Sequence, residues 1–155
     1  MTEDVYRWVK ERKDQLKISG HVLDIGSFDA NGRPEWSIRD LFTDYIGLDM
    51  RVGPNVDTVC SSHHLPYPDS FFDAVLCLEM LEHDSNFYRT ISEAYRVLKP
   101  GGHLLLTARA NGYPPHNHPS DYWRFTKEGF GVLLERFTNS GVSGKNLGIY
   151  GWARK

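Results

Sequence analysis

Two acidic residues, each ending a short apolar segment, are the first candidates for binding chemistry. Asp24 follows Val22-Leu23 and precedes Gly26 by two positions, and Asp49 ends a second such segment twenty-five residues later. A carboxylate has two oxygens with about four lone-pair sites, so Asp49 can accept hydrogen bonds from both hydroxyls of a ribose. Gly26 lacks a Cβ, which lets a ligand approach the backbone and permits a positive φ. The spacing predicts a nucleotide-like ligand across neighbouring strands.

Two further polar groups follow apolar segments in the same way. Ser61-Ser62-His63 comes after a third segment, and Leu78-Glu79 through His83 comes after a fourth. In an open α/β sheet, ligands bind in the crevice beyond the carboxyl ends of the strands. We therefore expect the serines and His63 to meet an adenine edge, and His83 to lie nearer the reacting end.

The turn after Asp24 argues against a dinucleotide. A dinucleotide turn carries Gly-x-Gly-x-x-Gly, whose amides gather around a pyrophosphate. Here the turn reads Gly26-Ser-Phe-Asp-Ala-Asn-Gly32, with Phe28 where the second glycine would stand. The ring of Phe28 would crowd a pyrophosphate and the charge of Asp29 would repel it. These residues favour a phosphate-free ligand with a positive centre.

The elements that must position these groups alternate between helix and strand. Apolar periodicity predicts helices over 3–17, 35–43, 86–98 and 126–137, the last capped by Thr126, with strands at 21–25, 44–49, 56–60, 72–78 and 103–107. Thr138 to Ala153 reads as two further short strands around residues 143–146. Repeated strand–helix–strand connections predict an α/β fold with a mostly parallel sheet covered on both sides. At 155 residues we expect one domain.

Composition narrows the partners and the compartment. The formal net charge is −2 without a basic stripe, so strong nucleic-acid binding is not expected. Cys60 and Cys77 are predicted to stay reduced, which favours a cytoplasmic location. The charged first ten residues predict no signal peptide, and no apolar run is long enough to span a membrane.

Five motifs, in order and at family spacing, resemble those of class I S-adenosylmethionine-dependent methyltransferases, in particular the small methyltransferase-11-like group. They are Val-Leu-Asp-Ile-Gly at 22–26, Asp49, Leu-Pro-Tyr-Pro-Asp at 65–69 followed by Phe72-Asp73, Leu-Glu-His at 81–83, and Leu-Lys-Pro-Gly-Gly at 98–102. The resemblance extends from Val22 to Phe130. It implies a Rossmann-like three-layer α-β-α sandwich with seven strands, the last antiparallel and inserted between strands five and six. It also implies S-adenosylmethionine as cofactor.

The resemblance assigns most of the cofactor site. Gly26 and Ser27 would lie along the methionine part, Asp49 and Met50 at ribose and adenine, Ser62 and His63 beside adenine, and Leu78 and Glu79 near the sulfonium. Asp24 and Ser61 complete the expected cofactor set, although Asp24 could instead cap the glycine turn. Phe28 departs from the small residue of the family. Its ring could narrow the pocket or lie over the sulfonium as a cation–π partner.

The acceptor is expected at the loop between Asn111 and Trp123. We assign acceptor binding to aromatic, imidazole and guanidinium groups of this segment: Tyr113, His116, His118, Trp123 and Arg124. The alternative is a proline-stiffened loop packed by its own aromatic rings. His116-x-His118 with Asp121 is a weak metal pattern, and no metal is predicted.

His83 is the candidate general base, because imidazole suits proton transfer near neutral pH. The alternative is a structural histidine that donates to a nearby carbonyl. Glu82 is interpreted as a solvated acid at a helix start. The leading function is methyl transfer from S-adenosylmethionine to O, N or C of a small-molecule acceptor. The alternative is a non-catalytic S-adenosylmethionine-binding or scaffold module with the same fold.

Overall fold

The core of the protein is a seven-stranded sheet, seen in a computed structural model that describes residues 2–30, 32, 34–117 and 119–155. The strands are β1 His21–Ile25, β2 Asp44–Asp49, β3 Thr58–Val59, β4 Phe72–Leu78, β5 Leu98–Arg109, β6 Thr138–Lys145 and β7 Gly148–Arg154. Their order across the sheet is β3-β2-β1-β4-β5-β7-β6. Neighbouring strands from β3 to β5 are parallel, whereas β7 is antiparallel to both β5 and β6. The predicted topology, with the last strand inserted before the sixth, is confirmed.

Helices cover both faces of this sheet. Helix α1 (Glu3–Leu16) buries Val5 and Val9 in the same cluster as Val22 of β1 and Leu76 of β4. On the other face, α2 (Phe87–Val97) and α3 (Lys127–Leu133) pack on residues that alternate with those. Because successive side chains of a strand point to opposite faces, the continuous apolar run of β4 serves both clusters. The three-layer α/β sandwich is confirmed.

The predicted helix over 35–43 is wrong. The structure has two short 3-10 turns there, Pro34–Trp36 and Arg39–Leu41. So short a segment, with Ser37 and Asp40 inside it, is a marginal helix on its own. Tertiary contacts then decide its path. The Arg39 guanidinium donates to Asp57 Oδ2 at 2.6 Å and lies 4.6 Å from the ring centroid of Tyr45.

The bounds of several other elements differ from the predicted ones. The third strand was predicted over 56–60, but Val56 closes a turn onto the Gly53 carbonyl at 3.2 Å, which leaves only Thr58–Val59. Strand β5 begins at Leu98 rather than 103, since Leu98 already pairs with Phe72. Helix α3 ends at Leu133 rather than 137, because the amides of Glu135 and Phe137 bond three residues back instead of four, to Val132 and Leu134. Its predicted cap is confirmed, with Thr126 Oγ1 accepting from Gly129 N at 3.0 Å.

Candidate functional site

A cavity of about 870 Å³ opens at the carboxyl ends of β1, β2 and β4. Its lining includes most of the residues that the sequence assigned to the site: Asp24, Gly26, Ser27, Phe28, Asp49, Met50, Ser62, His63, Leu78, Glu79, His83, Tyr113 and His116. These side chains come from separate segments that only the parallel sheet brings to one edge. The structure therefore assembles the predicted crevice at the predicted place.

The glycine turn forms the floor of this cavity. Gly26 has φ +82, and a Cβ placed on it would lie 2.7 Å from Cβ of Met80. The amides of Gly26 and Ser27 both donate to the Leu48 carbonyl, at 2.8 and 3.1 Å. The turn is thus fixed to β2, and its first residue has both the positive φ and the close contact that require glycine.

Asp24 is almost fully buried, with 5% of its surface exposed. Its Oδ2 accepts a hydrogen bond of 2.6 Å from the Tyr45 hydroxyl, while none of the described residues donates to Oδ1. Burial raises the pKa of this carboxyl to about 7. Asp24 does not cap the glycine turn, because the amides of that turn bond to Leu48 instead.

Asp49 lies at the end of β2 beside the turn. Its Oδ1 accepts from Arg51 N at 2.9 Å, and its Oδ2 makes a long contact of 3.4 Å with Phe28 N. The side chain is 11% exposed and lines the cavity. With about four lone-pair sites, the carboxylate keeps acceptor capacity for a ligand.

The ring of Phe28 lines the side of the cavity and does not fill it. The Arg51 guanidinium lies 4.2 Å from its centroid, and Gly53 is so close that a Cβ there would lie 2.2 Å from the ring. Arg51 therefore occupies one face of the ring as a cation–π partner. Met50, beside it, is 69% exposed and lines the cavity.

A buried polar network holds the side of the cavity assigned to adenine. Asp84 Oδ1 lies 2.8 Å from His63 Nε2, and Asp84 Oδ2 accepts from the Thr90 hydroxyl at 2.6 Å. Thr90 Oγ1 is also 2.7 Å from Ser62 Oγ. Ser61 does not line the cavity; its hydroxyl accepts from His63 N at 3.2 Å and shapes the turn.

The opposite end of the cavity carries paired charges. Arg109 Nη2 lies 2.7 Å from Glu79 Oε1, and the Arg109 guanidinium lies 4.2 Å from the ring centroid of Tyr113. Glu79 has φ +54, an uncommon conformation for a residue other than glycine. The Glu79 amide donates to Thr107 O and Oγ1, which fixes it against β5.

Glu82, interpreted from the sequence as a solvated acid, is fully buried, so that interpretation is wrong. Neither of its oxygens accepts a hydrogen bond from another described residue. Burial raises the pKa of its carboxyl to about 7. His83 lies next to it in a 3-10 turn (Leu81–His83), with Nδ1 2.5 Å from the Ser120 carbonyl. A carbonyl only accepts, so Nδ1 carries the proton of that bond.

The predicted acceptor loop folds around an ion pair. Arg124 donates to both oxygens of Asp121, at 2.5 and 2.6 Å, and this guanidinium holds the pKa of the Asp121 carboxyl well below its usual range. Arg124 also donates to the carbonyls of Tyr113 and Pro114. Trp123 donates to Asp84 O at 2.9 Å. Neither Trp123 nor Arg124 lines the cavity, and His118 is outside the described residues.

The interpretation of the sequence did not identify several residues of the site. Tyr45 donates to Asp24, and Asp84 accepts from Thr90. Met80 covers Gly26, and Arg109 neutralises Glu79. Only Asp84 left a signal, as an acid directly after the Leu-Glu-His motif. The roles of the others depend on pairing across the sheet, which local sequence does not contain.

A doubly wound sheet with a carboxylate-lined crevice at its strand ends defines a nucleotide-type binding fold. The chain belongs to the methyltransferase domain family, whose model matches residues 23–106, more than half of the chain. The resemblance to class I S-adenosylmethionine-dependent methyltransferases is thereby confirmed. Among the described residues, no helix is long and apolar enough to cross a membrane.

Three known proteins illustrate the similarity. The demethylmenaquinone methyltransferase of Symbiobacterium thermophilum is 34% identical over 122 residues, covering 79% of this chain and 39% of that protein. The 27-O-demethylrifamycin SV methyltransferase of Amycolatopsis mediterranei is 41% identical over 69 residues, covering 44% and 25%. The Burkholderia thailandensis 1,6-didemethyltoxoflavin-N1-methyltransferase, solved with bound 1,6-didemethyltoxoflavin and S-adenosylhomocysteine, superposes with TM-score 0.74 at 19% identity, covering 99% of this chain and 79% of that chain. The matched part of this chain spans only about a quarter to two fifths of these two curated relatives.

Proposed function

We propose that this chain transfers a methyl group from S-adenosylmethionine to a small-molecule acceptor. The observation that carries the proposal is the strand-end cavity, in which Asp24 and Asp49 stand on either side of the glycine turn. Asp49 has acceptor capacity for the two ribose hydroxyls. Oδ1 of Asp24, which accepts no hydrogen bond from the described residues, suits a cationic donor such as the α-ammonium of the methionine part.

The remaining cofactor contacts follow from this placement. Gly26 and Ser27 would run beside the methionine part, since both line the cavity. Ser62 and His63, fixed by Asp84 and Thr90, would meet the adenine. Leu78 and Glu79, which both line the cavity, would approach the sulfonium.

The acceptor would enter beside Tyr113 and His116, at the end of the cavity beyond Glu79. His83 lines the same end, and the bond from Nδ1 to Ser120 makes Nε2 the basic nitrogen of the neutral ring. A base is needed only when the acceptor is a hydroxyl or a protonated amine. We assign His83 as the base that accepts this proton.

Little further chemistry is required of the protein. The sulfonium already activates the methyl group, so the site mainly aligns donor and acceptor. Such alignment can supply roughly 7–11 kcal/mol of barrier lowering. The network around Asp84 and the Asp121–Arg124 pair would supply the rigidity that alignment needs.

The proposal includes a cellular setting. We place the protein in the cytoplasm, an assignment that two free cysteine thiols support. Residues 1–155 would act as one domain on a small molecule, without strong nucleic-acid binding. The formal charge of −2 supports this last point.

Calorimetric titration with S-adenosylhomocysteine and S-adenosylmethionine tests the cofactor assignment. We expect one molecule of either to bind per chain, and failure of both to bind at millimolar concentration overturns the proposal. Turnover is then measured with 27-O-demethylrifamycin SV, demethylmenaquinone and 1,6-didemethyltoxoflavin within a broad panel of acceptors. Binding without any methylated product would favour the non-catalytic module instead.

A further inference from the structure

Glu82, His83 and His116 place three metal-ligating groups together at the acceptor end of the cavity. One ligand atom from each lies within 4.8 Å of the other two, and Glu82 Oε1 is 3.9 Å from His116 Nε2. The carboxylate is fully buried, and no other described residue donates to either oxygen. A buried carboxylate that accepts no hydrogen bond is costly when it is ionised. A cation held between these groups would remove that cost.

His83 has the outer contact typical of a metal ligand. A ligating histidine usually directs its second ring nitrogen to a carbonyl or a carboxylate, which fixes the ring. His83 Nδ1 lies 2.5 Å from the Ser120 carbonyl, and His116 Nδ1 lies 3.3 Å from Asp121 Oδ2. The His83 ring would therefore ligate through Nε2. The contact of His116 Nδ1 with Asp121 is at an ion-pair distance without hydrogen-bond geometry, and His116 Nε2 is the nitrogen that lies 3.9 Å from Glu82 Oε1.

The surrounding charge is compatible with a dication. Arg109 is closer to Glu79, at 2.7 Å, than to Glu82, at 3.9 Å, and Arg124 is held by Asp121. When ionised, the carboxylates of Glu79, Glu82 and Asp121 and the guanidiniums of Arg109 and Arg124 sum to a formal charge of −1. A divalent ion would change this charge to +1. A tetrahedral ion with bonds of about 2.0–2.2 Å holds its ligand atoms roughly 3.3–3.6 Å apart. Binding would draw the three groups together by about 1 Å.

We propose that Glu82, His83 and His116 bind a divalent first-row transition metal ion such as Zn²⁺. Two imidazoles and one carboxylate suit this class of ion better than Mg²⁺ or Ca²⁺, which prefer oxygen ligands. Three protein ligands leave a coordination position for another oxygen or nitrogen. Resting on the proposed function, that position would take the acceptor oxygen, and the ion would lower the pKa of its hydroxyl. With Nε2 of His83 bound to the ion, the hydroxyl proton would pass to water, and His83 would position the ion instead of acting as the base.

Zinc binding is measurable without any acceptor. The protein is stripped with a chelator and titrated with ZnCl₂ by calorimetry, and Co²⁺ is used as a second probe because its visible spectrum reports nitrogen and oxygen coordination. We expect one ion per chain and d–d absorption from Co²⁺. Glu82→Gln and His116→Ala should each weaken Zn²⁺ binding at least a hundredfold. His64→Ala is the matched control, since His64 does not line the cavity, and it should retain full affinity.

The outcomes separate this site from the methyltransferase proposal. Circular dichroism and S-adenosylhomocysteine binding show whether each variant is folded. A protein that binds S-adenosylhomocysteine but no stoichiometric Zn²⁺ overturns the metal site alone, and so does Zn²⁺ binding that survives Glu82→Gln. Loss of binding in His118→Ala with retention in Glu82→Gln also overturns it. Zn²⁺ binding without cofactor binding supports the metal site and contradicts the proposed function.

Discussion

The Tyr45 hydroxyl donates a 2.6 Å hydrogen bond to the carboxyl group of Asp24, which is almost fully buried. The contact joins β1 and β2 beneath the glycine turn, where Val22 and Tyr45 are register partners. One carboxylate oxygen is thus satisfied by the fold, whereas the other is buried and accepts no hydrogen bond from the described residues. A cation bound here would compensate the negative charge of Asp24, which is costly when the site is empty.

Asp24→Asn should stabilise the empty protein above neutral pH. Because burial raises the folded pKa of Asp24 from 3.8 to about 7, the folded state holds a proton that the unfolded state releases. Stability contributed by the neutral acid is complete below about pH 4 and falls as pH rises to 7. At about 1.4 kcal/mol per pKa unit, the ionised group costs on the order of 4 kcal/mol at pH 8.

Urea unfolding of wild type and Asp24→Asn at pH 5 and pH 8 measures this effect. The difference in free energy of unfolding should favour the variant more at pH 8. Tyr45→Phe is the companion variant, because it removes the donor without changing the carboxyl group. It should destabilise the protein by about 1–3 kcal/mol at pH 8. An equal difference at both pH values would show that Asp24 is not neutral in the fold.

The strands that carry the site could be predicted to the residue. β1, β2 and β4 have the predicted bounds because each is a short apolar run ended by polar or turn residues. Asp24 and Asp49 could be placed because both follow such runs. The cavity lining could then be inferred from one rule, that parallel strands end at the same edge.

The side-chain contacts of the site could not be predicted in the same way. Glu82 reads as an ordinary surface acid, but it is fully buried, and the amides of Tyr122 and Trp123 both donate to its backbone carbonyl. The failed helix over 35–43 has a similar origin, since Arg39 bonds to Asp57 eighteen residues away. Both depend on contacts distant in sequence, which no local pattern contains.

Asp49→Ala should weaken S-adenosylhomocysteine binding at least a hundredfold. Two ribose hydroxyls bonded to one carboxylate represent charge-assisted hydrogen bonds of about 1.5–3 kcal/mol each. Calorimetry measures the affinity, and circular dichroism checks the fold, since Asp49 also accepts from Arg51 N. Asp69→Ala, which removes an exposed carboxylate outside the cavity, should bind normally. Unchanged affinity in Asp49→Ala would place the ribose elsewhere.

His83→Ala should lower turnover of a hydroxyl acceptor by roughly a hundredfold to ten-thousandfold. Affinity for S-adenosylhomocysteine should change less than threefold, because His83 lies beyond the assigned cofactor groups. The comparison uses initial rates at saturating S-adenosylmethionine, with His64→Ala as a histidine variant outside the cavity. Full activity in His83→Ala would remove His83 from the reacting centre.

Gly26→Ala should destabilise the protein by about 1–3 kcal/mol and impair cofactor binding. The φ of +82 is strained for any residue with a Cβ, and the new methyl would lie 2.7 Å from Cβ of Met80. Gly131→Ala is the matched control, since a Cβ there meets nothing within 4 Å and the residue lies inside helix α3. It should stabilise by about 0.5–1 kcal/mol. Urea unfolding gives both values, and a Gly26→Ala protein as stable as wild type would show that the turn does not impose this conformation.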